Sequence, residues 1–124
     1  SIEEPGIFTA TWREDGFMSL DADSHGACTT LIADFEGSNM KLNTYTRLGG
    51  EIRVEIVDAS NDNRRFHSPP IPGLSFEDCD SITGDHISKT VTWNGKSDLS
   101  RLIGKPVRIR LKMRRAKLYS MRFI

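Results

Sequence analysis

The sequence has few of the features that would place it in a specialised structural class. No apolar run approaches the ~18 residues of a membrane-spanning helix, and only two cysteines, Cys28 and Cys79, are present. They lack the paired spacing of a zinc site, and two distant cysteines do not make a disulfide framework. A single bridge between them stays open for an exported protein. We therefore expect a domain that is stabilised mainly by its hydrophobic core.

The sequence also has no net charge, since 17 basic residues balance 17 acidic ones. Aromatic residues are few and make up 8% of the chain. Single-stranded nucleic acids are usually bound by basic surfaces that carry stacking aromatics. The sequence has one basic cluster, at 112–117. We accordingly expect neither a nucleic-acid partner nor a membrane partner.

The balanced charge is unevenly distributed along the chain. Residues 1–36 contain eight acids and one base, Arg13, whereas residues 105–124 contain eight bases and no acid. One interpretation is a basic patch for an anionic partner. The interpretation we favour is that the first and last strands lie close together, so that their outward charges compensate each other across a sheet.

The length of 124 residues predicts one domain, spanning residues 1–124. The chain has neither an initiating methionine nor a signal-like apolar segment. We therefore expect a domain excised from a larger modular protein.

Alternation of apolar and polar residues predicts strands throughout the chain. In "VRIRLKM" (107–113), Val107 and Ile109 face inward, while Arg108 and Arg110 face solvent. Similar patterns predict about eight strands, near 7–12, 16–22, 27–35, 39–46, 51–59, 87–93, 107–113 and 117–123. Short strands at this spacing indicate an all-β, two-layer antiparallel β-sandwich of the jelly-roll type.

Turn signals separate these segments. Gly50 before Glu51 predicts a tight hairpin, and one short helical turn is expected near 98–103, where Leu99 and Leu102 close the core. The segment 61–86 is irregular and rich in proline, which favours an extended surface path.

Catalytic and metal-binding patterns are weak. Five residues of "FEDCDSITGDH" could ligate calcium, but their spacing is not that of an EF-hand, and caps or Asx turns explain acids in a loop equally well. The histidines, His25, His67 and His86, are isolated from one another in sequence, and no serine stands in the sequence context of a nucleophile elbow. We expect no enzymatic activity and no cofactor. A structural calcium is kept as an alternative, and its candidate ligands in this segment are Glu77, Asp78, Asp80, Asp85 and His86.

Sugar binding needs flat aromatic surfaces for stacking and planar polar groups for hydroxyls. Trp12, Phe17 and Tyr45 fall at positions that alternation assigns to solvent or to a rim, and Arg13 is adjacent. Each aromatic taken singly fits edge packing equally well. Trp93, which ends a predicted strand, is expected to belong to the core.

Three segments together resemble a known family. They are "DGFMSLDA", "IPGLSFEDCDSITGD" and "VTWNGKSDLSRLIGKPVRIRLKMRRAKLYSMRF". In this order they are similar to the C-terminal β-sandwich domain of bacterial sialidase-like and glycoside hydrolase family 32-like propeller proteins. Arg115 in "MRRAKLY" and the longer "NDNRRFHSPP" depart from that pattern.

The resemblance implies a jelly-roll domain, akin to carbohydrate-binding modules, in an extracellular or periplasmic carbohydrate-active protein. The family's catalytic residues belong to the propeller, and none transfers to this chain. Our first hypothesis is a non-catalytic module that binds a glycan, an anionic one included. Its expected ligand-binding residues are Trp12, Arg13, Phe17, Tyr45, Arg53 and Arg108. The alternative is an accessory domain that packs on the catalytic propeller of the same polypeptide and stabilises it without binding sugar.

Overall fold

The described part of the chain is mostly β-structure, as predicted. A computed structural model describes residues 6–12, 18–34, 37–60 and 69–124, with side chains in the last two ranges. Within them, β1 (Gly6–Trp12), β2 (Met18–Asp34), β3 (Met40–Asp58), β4 (Asp85–Thr90) and β5 (Pro106–Phe123) form an antiparallel sheet. The spatial order is β1-β2-β5-β3-β4. No helix in these ranges is long and apolar enough to span a bilayer.

The prediction of about eight short strands is wrong in number for these ranges. Three long strands, β2, β3 and β5, each contain two of the predicted ones. The gaps between these predicted strands are irregularities in a continuous ladder, and only the gap in β3, at 48–51, had a predicted turn. In β3 the pairing with β5 passes from Thr46↔Ala116 directly to Glu51↔Arg114, so the same neighbour lies on both sides of the interruption.

These irregularities lie at one level of the sheet. The register of β2 on β5 shifts between Ala22 and Ala27, opposite the same stretch of β5 at which β3 shifts. There Arg115 adopts a left-handed φ of 47°. Bulges of this kind bend strands and increase their twist. The three central strands therefore share an irregularity at one level, which divides the ladder into two halves.

Gly50 belongs to this irregularity and does not form the predicted hairpin. A Cβ atom at Gly50 would lie 2.4 Å from the Arg115 carbonyl oxygen and 2.7 Å from that of Arg114. Only glycine permits so close an approach of two backbones. The pair Gly49–Gly50 thus marks a bulge within β3, where the sequence pattern suggested a chain reversal.

The core lies between the sheet and the two segments that flank β4, residues 71–82 and 91–102. The alternation predicted for β5 and β3 is confirmed, because Val107, Ile109 and Leu111 are fully buried. Loop residues such as Leu74, Trp93 and Leu102 belong to the same apolar cluster as these strand residues. Both halves of the sheet contribute to this cluster, through Met40, Leu42 and Leu118 on one side of the bulge and Ile52, Val54 and Ile56 on the other.

Two side chains cap the outer edge of β3. The amide of Val54 donates to Cys79 Sγ at 3.3 Å, and Trp93 Nε1 donates to the Val54 carbonyl at 3.0 Å. Further along this edge, Ile56 donates to Leu74 O at 3.0 Å, and Ile71 donates to Ile56 O at 2.8 Å. Backbone groups that an edge strand would expose are therefore satisfied by the loop segment. The expected core role of Trp93, which is 2% exposed, is confirmed.

The predicted turn near 98–103 is confirmed as a single 3-10 turn over Ser100–Leu102. Asp98 Oδ1 accepts a hydrogen bond from the Ser100 amide at 3.0 Å, while Leu99 and Leu102 are buried. Gly104 follows with a φ of 80°, a conformation that favours glycine.

The second face of the sheet is less exposed than alternation predicted. Arg108 is only 4% exposed, so the expectation that this guanidinium faces solvent is wrong. Its ladder neighbours are Ile32 on β2 and Val57 on β3, and Val57 is fully buried. Alternation separates the two faces of a strand, but it does not tell whether the second face is covered. In β3 the unbroken buried run Val54–Val57 shows that the second face is covered as well.

Cys79 is a free cysteine, so the alternative of a Cys28–Cys79 bridge is not realised. The thiol is buried and donates to the Asp80 carbonyl at 3.4 Å while accepting from the Val54 amide. Burial raises the pKa of Cys79 to about 11. The side chain is therefore a neutral, unreactive part of the core.

We predict that Cys79 in a Cys28→Ser chain reacts very slowly with Ellman's reagent at pH 8. A pKa of about 11 against an ordinary 9.0 lowers the thiolate fraction roughly a hundredfold, and burial slows the reaction further. The measurement is the labelling rate in buffer and in 6 M urea, where one thiol per chain should react at the rate of a free cysteine. Equal rates under the two conditions would show that Cys79 is accessible.

Candidate functional site

The candidate site is a pocket between the β3 bulge, residues 47–50, and the loop 81–84. We call it the bulge pocket. Its volume is about 420 Å³, which lies within the ~300–1,000 Å³ typical of small-molecule sites. Its lining residues are Thr46, Arg47, Leu48, Gly49, Gly50, Glu51, Ser81, Thr83, Gly84 and Arg114.

Hydrogen bonds fix the two walls of the bulge pocket to each other at both ends. At one end Thr46 N donates to Gly84 O at 3.0 Å, and Gly84 N donates to Thr46 Oγ1 at 2.6 Å. At the other end Ile52 and Ile82 exchange backbone hydrogen bonds, each of 3.0 Å. Gly84 has a φ of 96°, which lets loop 81–84 turn toward β3. The pocket is therefore a preformed feature of the fold.

Two arginines of β5 hold the bulge itself. Arg114 Nε donates to Gly49 O at 3.2 Å, and Arg115 Nη1 donates to Leu48 O at 3.2 Å. These bonds satisfy carbonyl groups that have left the ladder between β3 and β5. They also orient the Arg114 guanidinium along the wall of the pocket.

Glu51 is the acidic group of the pocket. Its Oε2 accepts hydrogen bonds from Ser81 Oγ at 2.7 Å and from Arg53 Nε at 3.2 Å, and Arg114 Nη2 lies 4.0 Å from its Oε1. The hydrogen bond from Ser81, followed by the bond and the positive charge of Arg53, lowers the pKa of Glu51 despite partial burial. Glu51 is therefore ionised at neutral pH and acts only as an acceptor.

The described lining residues can bind a polar molecule by hydrogen bonding. They offer hydroxyl groups, one carboxylate, two guanidinium groups and backbone atoms of the glycines. Among these described residues Glu51 is the only carboxylate, and there is no histidine, so they do not supply the carboxylate pair of glycoside hydrolysis.

The residues predicted from sequence lie partly around this pocket. Tyr45 and Arg53 are on the face of β3 that points away from the core, on either side of the bulge. Tyr45 is 41% exposed, with Asp85 and Lys117 as its ladder neighbours. The structure thus brings Tyr45 and Arg53 to the two ends of the candidate site.

Arg53 is already engaged within the protein. Besides Glu51, it donates through Nη1 to the carbonyls of Phe76 at 3.2 Å and Cys79 at 3.0 Å. It therefore holds the segment 76–79 against β3 and orients Glu51. Its position in the site is that of a positioning residue.

Of the other predicted residues, only Arg108 has a described side chain, and it does not line the pocket. The backbone of Trp12 ends β1, where it pairs with Met18 of β2. Arg13 and Phe17 lie outside the described residues. Arg108 is buried and is separated from the bulge by several ladder positions of β5, since it pairs with Val57.

Sequence reasoning missed most of the pocket. Arg47, Glu51, Ser81 and Arg114 were not predicted as binding residues. The available signal was Gly49–Gly50 inside an apolar-alternating stretch, because glycines within a strand often mark bulges, and bulges are enriched next to functional sites. The contribution of Ser81 depends on a contact with Glu51 across thirty residues of sequence, which no local pattern indicates.

The acidic loop does not form a metal cluster. The described ranges contain no group of three or more histidine, cysteine or acidic side chains placed to hold a metal ion. Asp78 accepts from Ser75 Oγ at 2.8 Å, and Asp80 accepts from Thr92 Oγ1 at 2.6 Å and Gly95 N at 2.8 Å. These bonds support the reading of the acids as turn-stabilising residues. The pKa of Asp80 is lowered chiefly by the hydrogen bond from Thr92.

A second groove, of about 340 Å³, is more apolar. Ile71, Leu102 and Val107 line it together with three prolines, and Asp58, Arg101 and Lys105 supply its charged groups. The bulge pocket differs from this groove because its two walls are joined by hydrogen bonds and carry polar groups that can donate and accept.

Comparison with protein-family models gives no match to the chain, and comparison with curated proteins gives none either. The proposals below therefore rest on the residues and geometry of the chain.

Proposed function

We propose that this chain is a non-catalytic glycan-binding domain that holds a sugar residue in the bulge pocket. The observation that carries the proposal is the pocket's composition. A carboxylate held by Ser81 and Arg53, the guanidinium of Arg114 and the hydroxyl of Thr83 surround a preformed space of about 420 Å³. Sugar hydroxyls both donate and accept, and a wall with fixed acceptors and donors matches that chemistry.

The proposed architecture is a two-layer sandwich of the jelly-roll type. It is supported by the register irregularity that β2, β3 and β5 share at one level and by a core cluster that includes side chains from both sides of this irregularity. In keeping with the resemblance of its sequence motifs, the domain would accompany a glycosidase propeller in an exported protein.

Exposed Tyr45 extends the proposed site. Aromatic rings stack on the apolar faces of pyranoses, and Tyr45 lies one residue before Thr46 in the pocket lining, on the solvent side of β3. A glycan longer than one residue would place its next ring on Tyr45. The pocket would then select the chain end, and the tyrosine would add affinity without selectivity.

The alternative is an accessory domain that packs on a propeller without binding sugar. Its support is the exposure of large apolar side chains, with Leu48 at 93% and Ile87 at 82%. These two residues lie on separate elements, the β3 bulge and β4. A partner surface is expected to be contiguous, and β3 and β4 are neighbours in the sheet.

Glycan binding is tested by affinity electrophoresis against neutral and uronic-acid polysaccharides, followed by calorimetry on oligosaccharides of any polymer that retards the domain. We expect retardation by at least one polymer. Glu51→Gln should weaken binding about tenfold, the ~1.4 kcal/mol of one charge-assisted hydrogen bond. Glu77→Gln is the matched control, because Glu77 is exposed and lies outside the pocket.

Two outcomes would contradict the proposal. A correctly folded domain that no polysaccharide retards would favour the accessory role. Equal losses of affinity in Glu51→Gln and Glu77→Gln would show that sugar binds elsewhere than in the bulge pocket.

A further inference from the structure

The charges around the bulge pocket do not balance among the described residues. Arg47 and Arg114 line it together with one acid, Glu51, and the guanidinium of Arg53 contacts that same acid at 3.2 Å. Asp85, next to Gly84, lies beyond the lining and on the ladder opposite Tyr45. Two arginines and one carboxylate therefore line the pocket, and that carboxylate is already paired with Arg53 from outside the lining.

Arg47 is the least engaged of these cations. It is exposed on the bulge and makes no hydrogen bond or ion pair with another residue in the described ranges. Arg114 uses Nε for Gly49 O, and its Nη2 is 4.0 Å from Glu51. An exposed cation and an oriented one thus line the same small space, where a partly enclosed site strengthens their attraction for an anion.

We propose that the sugar bound in the bulge pocket is acidic, and that Arg47 and Arg114 pair with its carboxylate. This inference rests on the proposed glycan-binding function and specifies its ligand class as uronic-acid glycans. Guanidinium groups match the planar, two-oxygen geometry of a carboxylate through paired N–H donors. Glu51 and Thr83 then contact the ring hydroxyls.

The bulge explains why this site needs its glycines. Gly49 and Gly50 let β3 swing out by four residues opposite Arg115 and return to the same ladder. This detour carries Arg47 away from the sheet and leaves Arg114 facing the bulge. Without it Arg47 would occupy a ladder position on β5, whereas it now lines the pocket together with loop 81–84.

The test compares oligomers of galacturonate, glucuronate and mannuronate with the same oligomers after reduction of their carboxyl groups to alcohols. We expect at least one acidic oligomer to bind about tenfold or more tightly than its reduced form in calorimetry. The affinity for that oligomer should fall between 50 and 300 mM NaCl, because partly exposed ion pairs are screened by salt.

The variant Arg47→Gln tests whether the Arg47 guanidinium causes the preference for the acidic oligomer over the reduced one. We expect it to weaken binding of the acidic oligomer about tenfold and to leave binding of the reduced oligomer unchanged. Arg101→Gln makes the same substitution at an exposed arginine outside the pocket and should change neither. Arg47 has no described contact that stabilises the fold, so the variant's melting temperature should match the parent's.

The possible failures are distinguishable. Equal affinity for acidic and reduced oligomers, unchanged in Arg47→Gln, would overturn the acidic ligand and leave glycan binding intact. Preferential binding of a sulfated galactan oligomer would overturn the carboxylate assignment. The absence of binding to every oligomer, acidic or reduced, would overturn the proposed function itself.

Discussion

Replacing Trp93 with alanine is expected to lower the free energy of unfolding by about 3–5 kcal/mol, the range for removing a large aromatic from a core. Trp93 is 2% exposed and packs in the cluster that joins the sheet to the covering segment. Domains of this size have ~5–15 kcal/mol of total stability. The variant should therefore lose a large fraction of the stability of the domain.

The indole contributes through its nitrogen as well as its volume. Nε1 donates to the carbonyl of Val54 at 3.0 Å, on the outer edge of β3. Phenylalanine keeps much of the ring but leaves this buried carbonyl without its donor, which costs ~1–3 kcal/mol. We therefore expect Trp93→Phe to be destabilised less than Trp93→Ala, but clearly more than a surface variant.

Urea unfolding followed by far-ultraviolet circular dichroism measures both effects, and Lys96→Ala in the exposed turn after Trp93 serves as the control. Trp93→Phe at parental stability would show that the bond to Val54 contributes nothing. A loss below 1 kcal/mol in Trp93→Ala would contradict the central position of Trp93 in the core.

Sequence pattern predicted the β-structure well, for an identifiable reason. The apolar side chains Val107, Ile109, Leu111 and Met113 of β5 are buried at alternate positions, as the pattern predicted, although Arg108 between them is buried too. The turn at Asn94–Gly95 was also predictable, because asparagine and glycine tolerate the positive φ that a tight two-residue turn needs. Both residues do have a positive φ. Local patterns of this kind depend on neighbours in the chain.

The same reasoning failed where long-range contacts decide the outcome. Glycines at 49 and 50 suit either a hairpin or a bulge, and the choice depends on β5 pairing with both halves of β3. The charged positions of β3 and β5 suggested a solvent face, yet Arg108 is buried beside Val57. The bulge pocket was missed for the same reason, because it requires the bulge and a loop thirty residues away.

Glu55→Ala is the second substitution for which we expect a large effect, about 3–5 kcal/mol of stability, the cost of removing one partner of a buried ion pair. Glu55 is 6% exposed although it lies on the face opposite the main core. Its Oε2 accepts from Arg110 Nη1 at 3.1 Å, and its Oε1 accepts from the Phe76 amide at 3.3 Å. Alanine leaves both donors without this acceptor.

The pair also fastens the segment around Phe76 to the sheet. Lys112 Nζ lies 5.6 Å from the centre of the Phe76 ring, and Arg53 donates to the Phe76 carbonyl. Glu55, Arg53 and Lys112 therefore hold one residue by its amide, its carbonyl and its ring. Loss of Glu55 should loosen this attachment, which hydrogen exchange at the Phe76 amide would report.

A double-mutant cycle separates the ion pair from the other contacts of Glu55. Because replacing both members of a buried pair with apolar residues is often neutral, Glu55→Met with Arg110→Met should be less destabilised than the sum of the two single variants. Urea unfolding of the four proteins gives the coupling energy, which we expect to exceed 1 kcal/mol. Additive effects would show that Glu55 and Arg110 contribute to stability independently of each other.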